Sequence, residues 1–160
     1  GPPKTTAKIL AERKAIAALE KVDGRWILGA DTIVVYGNRM FGKPSNDDEA
    51  RSMLRILSGK DHEVITGYSI LYPSGDVACT DCETTTVSIK VLSSEEIDRY
   101  IATKEPFGKA GSYAIQGIGS FMVEGIRGSY SNVVGLPLCA VVKRLLDAGA
   151  LTSFPVYKLS

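Results

Sequence analysis

A chain of 160 residues is long enough to close one domain around a sizeable core. Its 44% apolar and 23% charged content is that of a globular chain and not a disordered one. A net charge of +1 excludes a global field steering it to nucleic acid or a membrane surface, and its apolar runs are too short to span a bilayer.

Residues 5–21 read as a helix, with Ile9, Ile16 and Leu19 recurring at helical spacing among Lys, Glu, Arg and Ala and Asp23-Gly24 as the stop. A strand is expected from Trp26 to Tyr36, then a turn at Gly37-Asn38 and a short return through Met40-Phe41. Asn46 opens a helix, and Glu49 three residues on completes a capping-box pattern. Its apolar face is Ala50, Met53, Leu54 and Leu57, and Gly59 ends it. Residues 62–72 and 77–91 form a hairpin around Pro73-Ser74-Gly75-Asp76. Ser93 and Glu96 give a second capping box, for a helix with Ile97, Tyr100 and Ile101 inward. A Gly-rich stretch, 108–119, leads to a strand at 121–126. A last helix runs from 136 to 148 before Gly149, and the tail beyond it is weakly specified.

Helices and strands alternate without repeats or a low-complexity linker. This predicts one α/β domain over residues 1–160, a mixed twisted sheet flanked by helices. Polar triplets from distant parts of the chain suggest two lobes around a central cleft.

Asp31, in Gly29-Ala30-Asp31-Thr32, is the first candidate for chemistry. A carboxylate within an apolar strand is costly unless paired or metal-bound. It could ligate Mg²⁺ or accept a proton from water attacking a phosphoryl group. Lys14, Lys43 in Gly42-Lys43-Pro44 and Lys109 in Gly108-Lys109-Ala110-Gly111 are point charges suited to phosphate oxygens. Any one alone reads as a surface charge, and Gly42-Lys43-Pro44 is not a Walker A loop. Glu83 could supply a second carboxylate or be an exposed strand residue. Gln116, beside Gly117, carries an amide able to read a nucleobase edge.

Cys79 and Cys82 have a CxxC spacing, but on a strand they point to opposite faces roughly 10 Å apart. No second Cys/His pair completes a zinc site, so the ordinary reading is free thiols in a reducing cytoplasm. No triad assembles around His62, the one histidine.

The ordered set GADT, GKP, LSGKDHEVITG, ETTTV, EPFGKAGSYAIQGIG and NVVGLP, from about Lys14 to Leu146, strongly resembles the Maf family. These are nucleoside triphosphate pyrophosphatases linked to septum formation. The resemblance implies a Maf/ITPase-like fold and hydrolysis of a nucleoside triphosphate to monophosphate and pyrophosphate with a divalent metal, Mg²⁺ or Mn²⁺. It makes Asp31 the base or metal-associated acid, ties Thr32 and Gln116 to base selection, and gives Lys14, Lys43 and Lys109 the phosphates. ADT with IQG resembles the dTTP/UTP branch.

Family members open with a strand and an SxSPRR loop, which have no counterpart in this sequence. Where the family has EKA, Arg13 precedes Lys14. A catalytically inactive nucleotide-binding or regulatory module in cell division is therefore the alternative to the enzyme. A nucleic-acid partner is disfavoured because no basic stripe or aromatic platform is present. A sheet edge exposed for want of that strand would suit a homodimer.

Overall fold

The computed structural model describes residues 1–156. Five strands lie in the order β2-β1-β3-β4-β5: β1 Ile27–Tyr36, β2 Arg39–Phe41, β3 Asp61–Leu71, β4 Val77–Ile89 and β5 Val123–Arg127. Every pairing is antiparallel, which corrects the expectation of a mixed sheet. Tight turns join β1 to β2 and β3 to β4, and such connections can make only antiparallel neighbours. The α/β class with flanking helices stands as expected. The part of the tail at 157–160 lies outside the described residues.

Helix α1, Pro2–Leu19, covers one face of the sheet. Its buried residues are Ala7, Ala11 and Ala15, while Ile9 and Ile16 are each 46% exposed. Leu19, one turn beyond Ala15 on the same stripe, is partly buried against Ile27 and Leu71. A stripe of alanines lets a helix approach closely, and β1 and β3 meet it with glycines. A Cβ at Gly29 would come within 2.6 Å of the Ala11 carbonyl oxygen, and one at Gly67 would overlap the Ala7 carbonyl. Isoleucines cannot enter so narrow a seam. They stay outside.

The opposite face carries the larger core. Helix α2, Asp47–Leu57, buries Ala50, Met53, Leu54 and Leu57, the face its spacing predicts. Burial of each larger side chain is worth roughly 1.5–3 kcal/mol. Asn46 caps it by accepting from the Glu49 amide. Helix α3, Ser94–Ala102, has both halves of its capping box and buries Ile97, Tyr100 and Ile101. Val34, Val64, Val87, Tyr113 and Met122 join these helices in one cluster. Two 3₁₀ turns, Ala110–Ser112 and Ile118–Met122, and the short α4, Tyr130–Val134, were not expected. Helix α5, Leu138–Ala148, ends at Gly149 in the left-handed conformation.

Side chains alternate across a strand. Gly29 and Asp31 therefore face α1, whereas Thr32 and Val34 face the larger core. Strand β2 borders β1 only at Val34–Tyr36. Along Ile27–Ile33 the outer edge of β1 has no strand partner among the described residues.

Candidate active site

A cleft of about 280 Å³ wraps around that open edge of β1. Asp31 and Lys14 line it from the α1 side, and Thr32, Lys43, Lys109 and Gln116 also line it. Six of the seven residues singled out in the sequence thus meet in one place. Glu83 does not line this cleft. It lies opposite Thr66 on β4, two strands in from β1, and its carbonyl accepts from the Asn132 amide.

Asp31 accepts a hydrogen bond from the Lys14 ammonium. The Asp31 side chain is 19% exposed and that of Lys14 57%, so the pair sits at the mouth of the cleft. The carboxylate is paired as its cost demands, and the lysine remains open to an incoming anion.

Lys43 and Lys109 come from loops tied together by one backbone bond, from the Gly111 amide to the Gly42 carbonyl, 3.1 Å. Gly111 has φ of 72° and lies against Val34, where a Cβ would come within 2.9 Å of a methyl carbon. Glycine is needed there both for its backbone and for its size. Ser112 follows at φ 71°, its buried hydroxyl donating to the Met53 sulfur. Tyr113 continues the lining, and its hydroxyl is 2.7 Å from His62 Nε2. Burial pushes the Tyr113 phenol up and holds the His62 imidazole down at about 4.

On the larger-core side, Thr32 and Thr66 share a 2.8 Å hydroxyl contact. The Thr66 hydroxyl donates to the Asn132 carbonyl at 3.2 Å. Thr66 has only one proton to give, so Thr32 must be the donor in their contact. The Thr32 oxygen is then left able to accept from a group in the cleft. Asn132 is wholly buried, and the two N–H groups of its side chain are shared among the Val64 and Glu83 carbonyls and the Thr85 hydroxyl. That network holds α4, whose Val133 and Val134 close another part of the cleft.

Nothing in the sequence singles out Thr66, Tyr113 or Asn132. Each lies within one of the family-like motifs, but contacts spanning 34 to 68 positions have no local signal.

A family model described as Maf-like protein matches residues 1–148. The chain belongs to the Maf-like family. A relative from Geobacter sulfurreducens named dTTP/UTP pyrophosphatase is 50% identical over 149 residues, covering 93% of this chain and 78% of the relative. One of the same name from Bacillus cereus is 51% identical over 143 residues, covering 89% and 74%. Another, from Syntrophotalea carbinolica, is 50% identical over 145 residues, covering 91% and 66%. No described helix is long and apolar enough to cross a membrane.

Proposed function

We propose that this chain hydrolyses nucleoside triphosphates, dTTP and UTP foremost, to the monophosphate and pyrophosphate. The observation carrying this reading is one cleft lined by Asp31, three lysines, Thr32 and Gln116, in a chain 50% identical to a protein named for those substrates. Water attacks the α-phosphorus, the bond to the bridging oxygen breaks, and pyrophosphate leaves with the electron pair. Asp31 takes the proton of the attacking water as general base. Its ion pair with Lys14 orients the carboxylate beforehand. Lys14, Lys43 and Lys109 offset the charge of the phosphates as it shifts toward the leaving group.

A divalent cation, Mg²⁺ or Mn²⁺, supplies further charge neutralisation when bound. Among the described residues no group of three or more His, Cys, Asp or Glu could cage a metal. Asp31 is the one carboxylate among the described residues lining the cleft. That donor set fits an ion held by one or two carboxylates together with the substrate's phosphates.

Thr32 and Gln116 face the base. Uracil and thymine edges present carbonyl oxygens and a ring N–H. The Gln116 amide can both donate and accept, and the Thr32 oxygen can accept. Free Cys79, Cys82 and Cys139 suit work in a reducing cytoplasm.

Pyrophosphate release from a panel of triphosphates with Mg²⁺ or Mn²⁺ tests the reading. Faster release from dTTP and UTP than from purine triphosphates is the expected result. No release from any of them would leave the inactive nucleotide-binding module.

A further inference from the structure

Gln116 sits on an irregular stretch between the two 3₁₀ turns, where neither a helix nor a sheet ladder fixes it. Its position must come from the ends of that stretch. Tyr100 holds one end and Glu105 the other, and the two side chains are bonded to each other. The Ala114 amide donates to the Tyr100 hydroxyl at 3.1 Å. The Ile118 and Gly119 amides donate to Oε1 and Oε2 of Glu105 at 2.9 and 2.8 Å. The Tyr100 hydroxyl donates to Glu105 Oε2 at 2.5 Å, which closes the ring.

The clamp is itself anchored. Tyr100 is 2% exposed within the α3 core. The Thr103 hydroxyl donates to the Tyr100 carbonyl and accepts from the Glu105 amide. The loop is also shaped to it. A Cβ at Gly117 would overlap the Glu105 carboxylate, and one at Gly119 would come within 2.7 Å of the Tyr100 hydroxyl oxygen. Burial works against the charge on Glu105, but bonds from Tyr100, Gly119 and Ile118 and the nearby Lys109 charge outweigh it and keep the carboxyl below its ordinary value. That same Lys109 lines the cleft.

We propose that Glu105, braced by Tyr100, is the positioning residue that sets Gln116 against the base. This rests on the reading of the cleft as a nucleoside triphosphate site. Glu105 acts through the loop and touches no substrate. A glutamine in its place keeps the size but presents an N–H toward an amide that needs an acceptor. A clamp that serves only the fold would weaken binding by the same factor whatever stands at position 116.

A double-mutant cycle separates the two roles. The probe is a UTP analogue with a methylene bridge between the α- and β-phosphorus, its Kd measured by calorimetry with Mg²⁺. Glu105→Gln should weaken binding about tenfold in the otherwise native chain, yet less than about twofold in a Gln116→Ala background. Tyr100→Phe, which removes one bond and keeps the carboxylate, should follow the same pattern at about threefold. It carries the cycle if Glu105→Gln does not fold. Equal loss in both backgrounds, or no loss in the native one, would overturn the positioning role. UTP turnover is measured alongside. Its absence in a native chain that binds the analogue sinks hydrolysis alone and leaves the cycle to judge the clamp. Failure of the native chain to bind the analogue sinks both.

Discussion

Gly67 of β3 lies directly beneath the Ala7 carbonyl of α1, with no room for a side chain between them. Gly67→Ala must push α1 off the sheet, and overpacking of this kind costs about 1–3 kcal/mol or more. Ile9→Ser, on the outer face of the same helix, should change stability by only about 0.5 kcal/mol. Urea denaturation of the two variants gives the comparison. A tolerant Gly67 would show that the seam is not tight.

Asp31→Asn removes the proposed general base and the partner of Lys14 while keeping size. Turnover should fall roughly a hundredfold or more, in the range of acid–base groups. Stability should hardly change, since the pair is at the cleft mouth and such pairs are worth about 0–1 kcal/mol. Steady-state kinetics paired with thermal melting checks both halves. Normal turnover would remove Asp31 from the chemistry.

Gln116→Ala should narrow the gap between pyrimidine and purine triphosphates in kcat/KM, with the pyrimidines losing more. A selective loss of one or two hydrogen bonds is worth about tenfold or so. The quantity to measure is the ratio for UTP over GTP. An even loss on every substrate would move Gln116 from the base to the phosphates or the scaffold.

His62 is 2% exposed, and its Nδ1 has no hydrogen-bond partner among the described residues. Burial lowers its pKa from 6.5 to about 4, while the Asp61 charge opposes the shift. The unfolded chain therefore binds the proton first as pH falls. The stability linked to His62 is intact above about 6.5 and is lost as pH drops toward 4. The full shift corresponds to about 3 kcal/mol. His62→Gln cannot titrate but can still accept from the Tyr113 hydroxyl. Denaturation midpoints taken from pH 7 to pH 4 should fall less steeply in the variant. Parallel slopes would mean that His62 is not the proton-linked group.

Amphipathic helices with caps were legible residue by residue. Leu54 and Leu57 recur on one face of α2, and Ser93 with Glu96 marks the start of α3. Helix α1 is legible as a helix, but alanines carry too little hydrophobic contrast to mark Ala7, Ala11 and Ala15 as its buried stripe. What decides its face is the pair of glycines on other strands. Alternation alone does not set the sheet's direction, and the tight turns fix only the β1–β2 and β3–β4 pairings; the antiparallel β1–β3 and β4–β5 pairs follow long connections. Short elements such as α4 lack a full amphipathic period. In the cleft lining, Lys43, Lys109 and Gln116 were legible beside glycines, where the backbone can approach a ligand closely, and Asp31 as a carboxylate within an apolar strand. Its supports were not. Glu105 meets Ile118 across 13 positions, and no spacing rule connects a carboxylate to an amide that far along an irregular loop.

Asp31 and Thr32 are neighbours in the chain yet look out from opposite faces of β1. Under the proposed reading, the acid that drives the reaction and the hydroxyl that reads the substrate sit one peptide apart in separate surroundings. Asp31 answers to Lys14 on α1, and Thr32 to Thr66 on β3. A lineage can therefore exchange the residues around Thr32 and acquire a taste for another nucleotide without disturbing the hydrolytic step. Under that reading, one strand would carry two traits free to change independently.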